Sequence, residues 1–109
     1  ELATRSTGET IQIVHNPWDT EIASSTVLGL VLEEAGYNVN LLSVDNAIMF
    51  ESISTGESDV MTAAWLPTTH AAFYEKHKDS IVDLGPNLTG TKNGFVVPSY
   101  VEIDSIDEL

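Results

Sequence analysis

Residues 10–43 read TIQIVHNPWDTEIASSTVLGLVLEEAGYNVNLLS, and this stretch decides the fold class. Residues 10–15 alternate, with Ile11 and Ile13 apolar, which predicts a strand. Asn16 and Pro17 stop it. Asn16 is a good helix N-cap, Pro17 suits the first helical position, and Asp19 three residues after Asn16 approximates a capping box. A helix is then expected to Ala35, with Val27, Leu28, Val31, Leu32 and Ala35 on one face and Gly36 as its stop. Residues 38–43 form a second short strand. A strand, a helix and a strand in so short a span make a βαβ unit, and hence a parallel pair.

The alternation continues downstream. A shorter helix is expected over about residues 45–54, ended by Gly56, and a third strand over 59–65, mostly apolar as a doubly buried strand should be. Pro67-Thr68-Thr69 opens a third helix to about Lys78, with Ala72, Phe73 and Tyr74 as candidate inward residues. Residues 81–84 read as a small strand or extended piece, 85–93 as a turn-rich loop and 94–98 as a fifth apolar strand. Residues 105–109 begin another helix. The fold class is therefore α/β: a three-layer lobe with a mostly parallel central sheet. Residues 1–9 read as a polar lead-in or linker, 10–98 as one ligand-binding lobe and 99–109 as a crossover segment.

Composition removes several functions. Seventeen acidic against four basic residues in 109 leave a formal charge of −13. Four cations cannot build the basic surface that nucleic acid requires, and anionic lipid would repel such a chain. With no cysteine, disulfides, thiolate metal sites and cysteine nucleophiles are all absent. No phosphate-binding glycine loop, Gly-x-Ser-x-Gly or His-Glu-x-x-His occurs, and the carboxylates form no spaced acid–base pair. The reading assigns no catalytic residues, no metal and no cofactor. The sequon Asn87-Leu88-Thr89 is short enough to arise by chance.

In an open parallel sheet, ligands bind beyond the carboxyl ends of the strands. After the first strand comes Asn16-Pro17-Trp18-Asp19; after the third comes Trp65-Leu66-Pro67-Thr68-Thr69-His70. Both tryptophans of the chain fall at this one edge. Taken singly, each is a packing residue, as aromatics usually are. Taken together at a rim, they offer two π-faces, which attract weakly hydrated cations and above all quaternary ammonium. His70, expected in the first turn of the third helix, can donate to a carboxylate beside free backbone N–H groups. A ligand touching all three carries a cation at one end and a carboxylate at the other. His15 fits a local backbone bond, His77 a solvated helix face, and Asp45-Asn46 a helix cap.

These stretches carry a family resemblance. Residues 18–25, 31–37, 64–70, 83–85 and 94–100, with Ala64-Trp65-Leu66-Pro67-Thr68-Thr69-His70 the most distinctive, resemble the substrate-binding proteins of ABC transporters for glycine betaine and proline betaine. The resemblance implies a lobe of a type II periplasmic-binding-protein-like fold, with two lobes joined at a hinge and the betaine between them. It implies that Trp18 and Trp65 are two walls of a cage around the trimethylammonium and that His70 helps bind the carboxylate. The family's third aromatic wall and backbone donors come from the other lobe, which nothing in these residues supplies. The implied partners are the betaine, that missing lobe and the transmembrane permease of an importer, outside the cytoplasm, with the protein lipid-anchored, fused to the permease or periplasmic. An unpaired terminal element near a hinge also invites a domain-swapped homodimer. Choline or carnitine binding, a sensor or interaction domain that reuses the lobe and, third, an enzyme with His15 or His70 as general base are the competing readings.

Overall fold

The computed structural model describes residues 8–108. Strand β1 (Thr10–His15) pairs in parallel with β2 (Asn38–Ser43), in the register Thr10↔Asn38 to His15↔Ser43. Helix α1 (Asp19–Glu34) makes the crossover. Along the other side of β1 runs a third parallel segment. There the Val14 amide donates to the Val60 carbonyl at 3.1 Å and the Asp59 amide to the Gln12 carbonyl at 3.0 Å, and Ile13 faces Val60 in a parallel bridge. The lobe is α/β with parallel strands, and β1 is at its centre.

The expected strand over residues 59–65 shrinks to that single bridge. Beyond Val60 the chain leaves β1, and the Thr62 hydroxyl bonds those of Ser24 and Ser25 on α1 at 2.7 and 3.2 Å. A strand needs a partner for its backbone groups, and past Val60 no strand supplies one among the described residues: the Thr62 carbonyl accepts from Asn87 Nδ2 at 2.7 Å instead. Residues 81–84 and 94–98 are not strands either. Val82, Leu84, Phe95 and Val96 are exposed. The radius of gyration of 17.7 Å exceeds the roughly 13 Å of a compact chain of this length. In place of the helix expected from residue 105, the described residues give one 3₁₀ turn, Ile106–Glu108. Leu109 and most of the expected lead-in, residues 1–7, lie outside the described residues.

Helix α1 departs from expectation at its start and agrees at its end. Trp18, not Asn16, is the N-cap, in extended conformation and without a side-chain cap bond. Asn16 is engaged elsewhere: its Nδ2 donates to the Val44 carbonyl at 2.8 Å and its amide to Glu21 Oε1 at 2.9 Å. At the far end Gly36 takes φ +102°, which permits paired closing bonds from the Gly36 amide to Glu33 and from the Tyr37 amide to Leu32. The buried face is Glu21, Ser25 and Gly29, whereas Val27 and Val31 are exposed. Gly29 lets the helix approach the sheet: a Cβ there would lie 3.2 Å from Val39 Cγ1. Small residues thus set the packing distance, which a reading based on apolar periodicity overlooks.

Helix α2 (Asn46–Thr55) is capped by Asp45, whose Oδ1 accepts from the Ile48 amide at 2.9 Å. It ends at Gly56 with φ +82°. Helix α3 (Ala71–His77) begins four residues later than expected, because residues 66–70 form turns; a 3₁₀ turn (Lys78–Ser80) follows. Val14, Met49 and Phe50 form the core, with Val44, Ile53, Met61, Phe73, Tyr74 and Ile81 packed around them. This core joins α2 and α3 to the carboxyl half of β1, the end at which the candidate site lies.

Candidate functional site

β1 ends at His15, and the turn that follows projects Trp18 at the head of α1. The segment after Val60 delivers Trp65 and then the turns that lead to His70. The two indoles meet with centroids 5.4 Å apart and planes at 78°. Trp18 also stacks on His70, at 5.9 Å and 11°. Both indoles keep over a third of their surface exposed (36% and 42%), so neither is enclosed in core. The result is a right-angled aromatic corner, floored on one side by an imidazole. The structure brings all three sequence-selected residues together at the carboxyl edge of the strands.

His70 is held more firmly than a surface histidine. Its Nδ1 accepts the Trp65 amide at 2.9 Å, and Nε2 faces Asn46 Oδ1 at 3.0 Å. Because Nδ1 accepts, Nε2 carries the proton and donates to Asn46. Phe50 and Phe73 meet the ring edge-on at 5.4 and 6.2 Å, and the residue is fully buried. Burial lowers its pKa below 6.5, which favours the neutral ring. The expected free N–H groups at a helix start are partly taken: the His70 amide donates to the Trp65 carbonyl and the Ala71 amide to that of Thr68.

His15 gives its Nδ1–H to the Asn16 carbonyl at 2.7 Å, the local backbone bond expected of a strand-end histidine. Asn46, for which capping is the first expectation from sequence and pocket contact the lesser one, is the partner of His70; the cap itself is Asp45. Glu21 carries no sequence signal that marks it as functional. It is 1% exposed, and Oε2 is buried with no hydrogen-bond partner among the described residues, as is Asn16 Oδ1. Burial pushes the Glu21 pKa up, against the opposing effects of the Asn16 amide and His15. An open groove of about 710 Å³ runs beside the corner, lined by Glu21, Ser24, Trp65, Thr68 and Asn93 among others; Trp18 and His70 do not line it. Trp65 is therefore the wall common to corner and groove. No cluster of metal-ligating side chains occurs among the described residues.

An α/β lobe with its aromatic corner at the strand ends belongs, by its likeness to known proteins, among transport substrate-binding domains. The chain is a member of the family described as the substrate binding domain of ABC-type glycine betaine transport systems, whose model matches residues 9–109. It is 40% identical over 103 residues to the glycine betaine/carnitine transport binding protein of Listeria monocytogenes, a match that covers 94% of this chain and 34% of that protein. To the trimethylamine N-oxide-binding protein of Pelagibacter ubique it is 27% identical over 88 residues, covering 80% and 28%. Lactococcal OpuAC, crystallised closed with glycine betaine, superimposes with a TM-score of 0.87 at 42% identity, over 93% of this chain and 40% of that one. The glycine betaine, L-proline-binding protein of Borrelia burgdorferi gives 0.87 at 43%, over 92% and 38%. The chain thus spans about a third of the length of the curated relatives it matches. No helix among the described residues is long and apolar enough to cross a membrane.

Proposed function

We propose that this chain is one lobe of the binding component of an ABC importer, and that it takes a quaternary-ammonium solute, glycine betaine or proline betaine. The observation that carries the reading is the Trp18–Trp65 corner, two half-exposed indoles at 78° and 5.4 Å. A trimethylammonium group has no N–H to donate and is weakly hydrated. Two π-faces at right angles attract it from two sides, each contributing about 0.5–2 kcal/mol according to how much water is excluded. His70 keeps the floor of the corner neutral, so no protein cation competes with the ligand. Its one ring N–H is given to Asn46 in a fully buried site, so a ligand carboxylate would reach it only by displacing the Asn46 side chain.

A second lobe is the natural source of the remaining wall and donors, and the permease is the partner that receives the cargo, outside the cytoplasm. The relative whose name includes carnitine keeps a longer betaine in view as a second ligand. In the full-length protein that contains this chain, Trp18→Ala and Trp65→Ala should each weaken glycine betaine binding, by up to roughly 30-fold. Titration calorimetry checks this. Unchanged affinity in both variants would remove the corner from the site. The isolated lobe should bind at millimolar strength or worse, because association costs about 4 kcal/mol or more before any contact shows as affinity.

A further inference from the structure

We infer that Glu21 is the counter-charge for the ammonium end of the ligand, acting through space from beneath the aromatic corner. The inference rests on the betaine reading and assigns a charge that this reading leaves unexplained. Glu21 is 1% exposed, and an ionised carboxylate is costly to bury. The fold uses one of its oxygens: Oε1 accepts the Asn16 amide at 2.9 Å, a bond that a glutamine oxygen would make as well. Oε2 is buried without a partner, and no lysine or arginine among the described residues pairs with the group. The nearby His15 ring gives its Nδ1–H to the Asn16 carbonyl. Nothing in the packing therefore requires a negative charge in place of an amide.

Position supplies the missing requirement. Glu21 lies three residues after Trp18, one turn along α1, and lines the groove whose wall is Trp65. Its charge is thus set one turn along α1 from Trp18 and on the groove that Trp65 walls, in a buried position where water screens it poorly. A cation with N–H groups would need an accessible oxygen to bond. A quaternary ammonium responds to the field alone, and a covered carboxylate provides field without a bonding site. The same charge repels the ligand's own carboxylate, so it orients the zwitterion with its anionic end away from α1.

The test uses Glu21→Gln in the full-length protein, with two ligands of one shape. Glycine betaine carries a trimethylammonium head; 3,3-dimethylbutyrate has a neutral tert-butyl group in its place and the same carboxylate. Calorimetry follows the first and saturation-transfer NMR at millimolar concentration the second. Loss of the counter-charge should weaken betaine about tenfold and leave dimethylbutyrate unchanged or bound more tightly. The near-UV circular dichroism of the tryptophans should stay as in the parent. Equal losses for both ligands, or an altered tryptophan spectrum, would mean that Glu21 only holds the turn and would overturn the inference. So would betaine binding at parental strength. A parent protein that binds no betaine overturns the proposed function itself, an outcome visible before any variant is made.

Discussion

Replacing His70 by alanine tests whether the corner is built from below. The ring is fully buried, bonds the Trp65 amide and Asn46 Oδ1, and touches Trp18, Phe50 and Phe73. Each hydrogen bond is worth about 0.5–1.5 kcal/mol net. Each aromatic pair adds about 0.5–1.5 kcal/mol beyond area, and these values do not sum fully. The cavity left behind costs more, since the surrounding side chains collapse only in part. His70→Ala should therefore destabilise the lobe by about 3–5 kcal/mol, a large share of the roughly 5–15 kcal/mol that holds a domain together. His70→Phe keeps a ring but strands the Trp65 amide and the Asn46 oxygen, at about 1–3 kcal/mol. Equilibrium urea unfolding followed by tryptophan emission reads both variants, with the chain's two indoles as probes. A cost below about 1 kcal/mol for His70→Ala would refute the argument. Full rescue by phenylalanine would show that the ring only fills space and that the two hydrogen bonds contribute nothing.

Acid should act on the two buried titratable groups in opposite senses. As pH falls through 6.5, the unfolded state takes a proton that buried His70 resists, so stability drops; Glu21, raised above 4.5, takes its proton first in the folded state, so stability rises as pH falls toward 4.5. Glu21→Gln removes the gain and should steepen the acid loss between pH 6.5 and 4.5, as unfolding free energies measured across that range will show. Gly29→Val forces side chains against Val39 and should cost about 1–3 kcal/mol in thermal unfolding; an unchanged melting temperature would mean that α1 can lift off the sheet freely. Asp45→Ala removes the cap on α2 and should cost about 1 kcal/mol in the same assay.

Local chemistry made much of this protein legible in its sequence. The β1–α1–β2 order follows from alternation, helical periodicity and Gly36, whose positive φ closes α1. Asp45 and Gly56 likewise mark the ends of α2 by what they do to their own neighbours. The edge at which Trp18 and Trp65 meet was legible from the rule that parallel strands point their carboxyl ends the same way, although Trp65 arrives on an irregular segment five residues past the Val60 bridge and not at a strand end. Tertiary structure decided the rest, because it depends on partners distant along the chain. Asn16 lost its capping role to the Val44 carbonyl, 28 residues away. Residues 61–65 diverge from β1, the Thr62 side chain anchored on α1 and its carbonyl bonded by Asn87, and the apolar residues of 94–98 found no strand to pair with among the described residues. His70 became a buried, neutral support only when Asn46 and Phe50 of α2 closed over it. Glu21 looked like any first-turn acid until packing shut out the water around it. Periodicity and caps are written within one turn or one strand, whereas the burial of a charge and the partner of a backbone amide are set by whichever distant segment arrives to cover them.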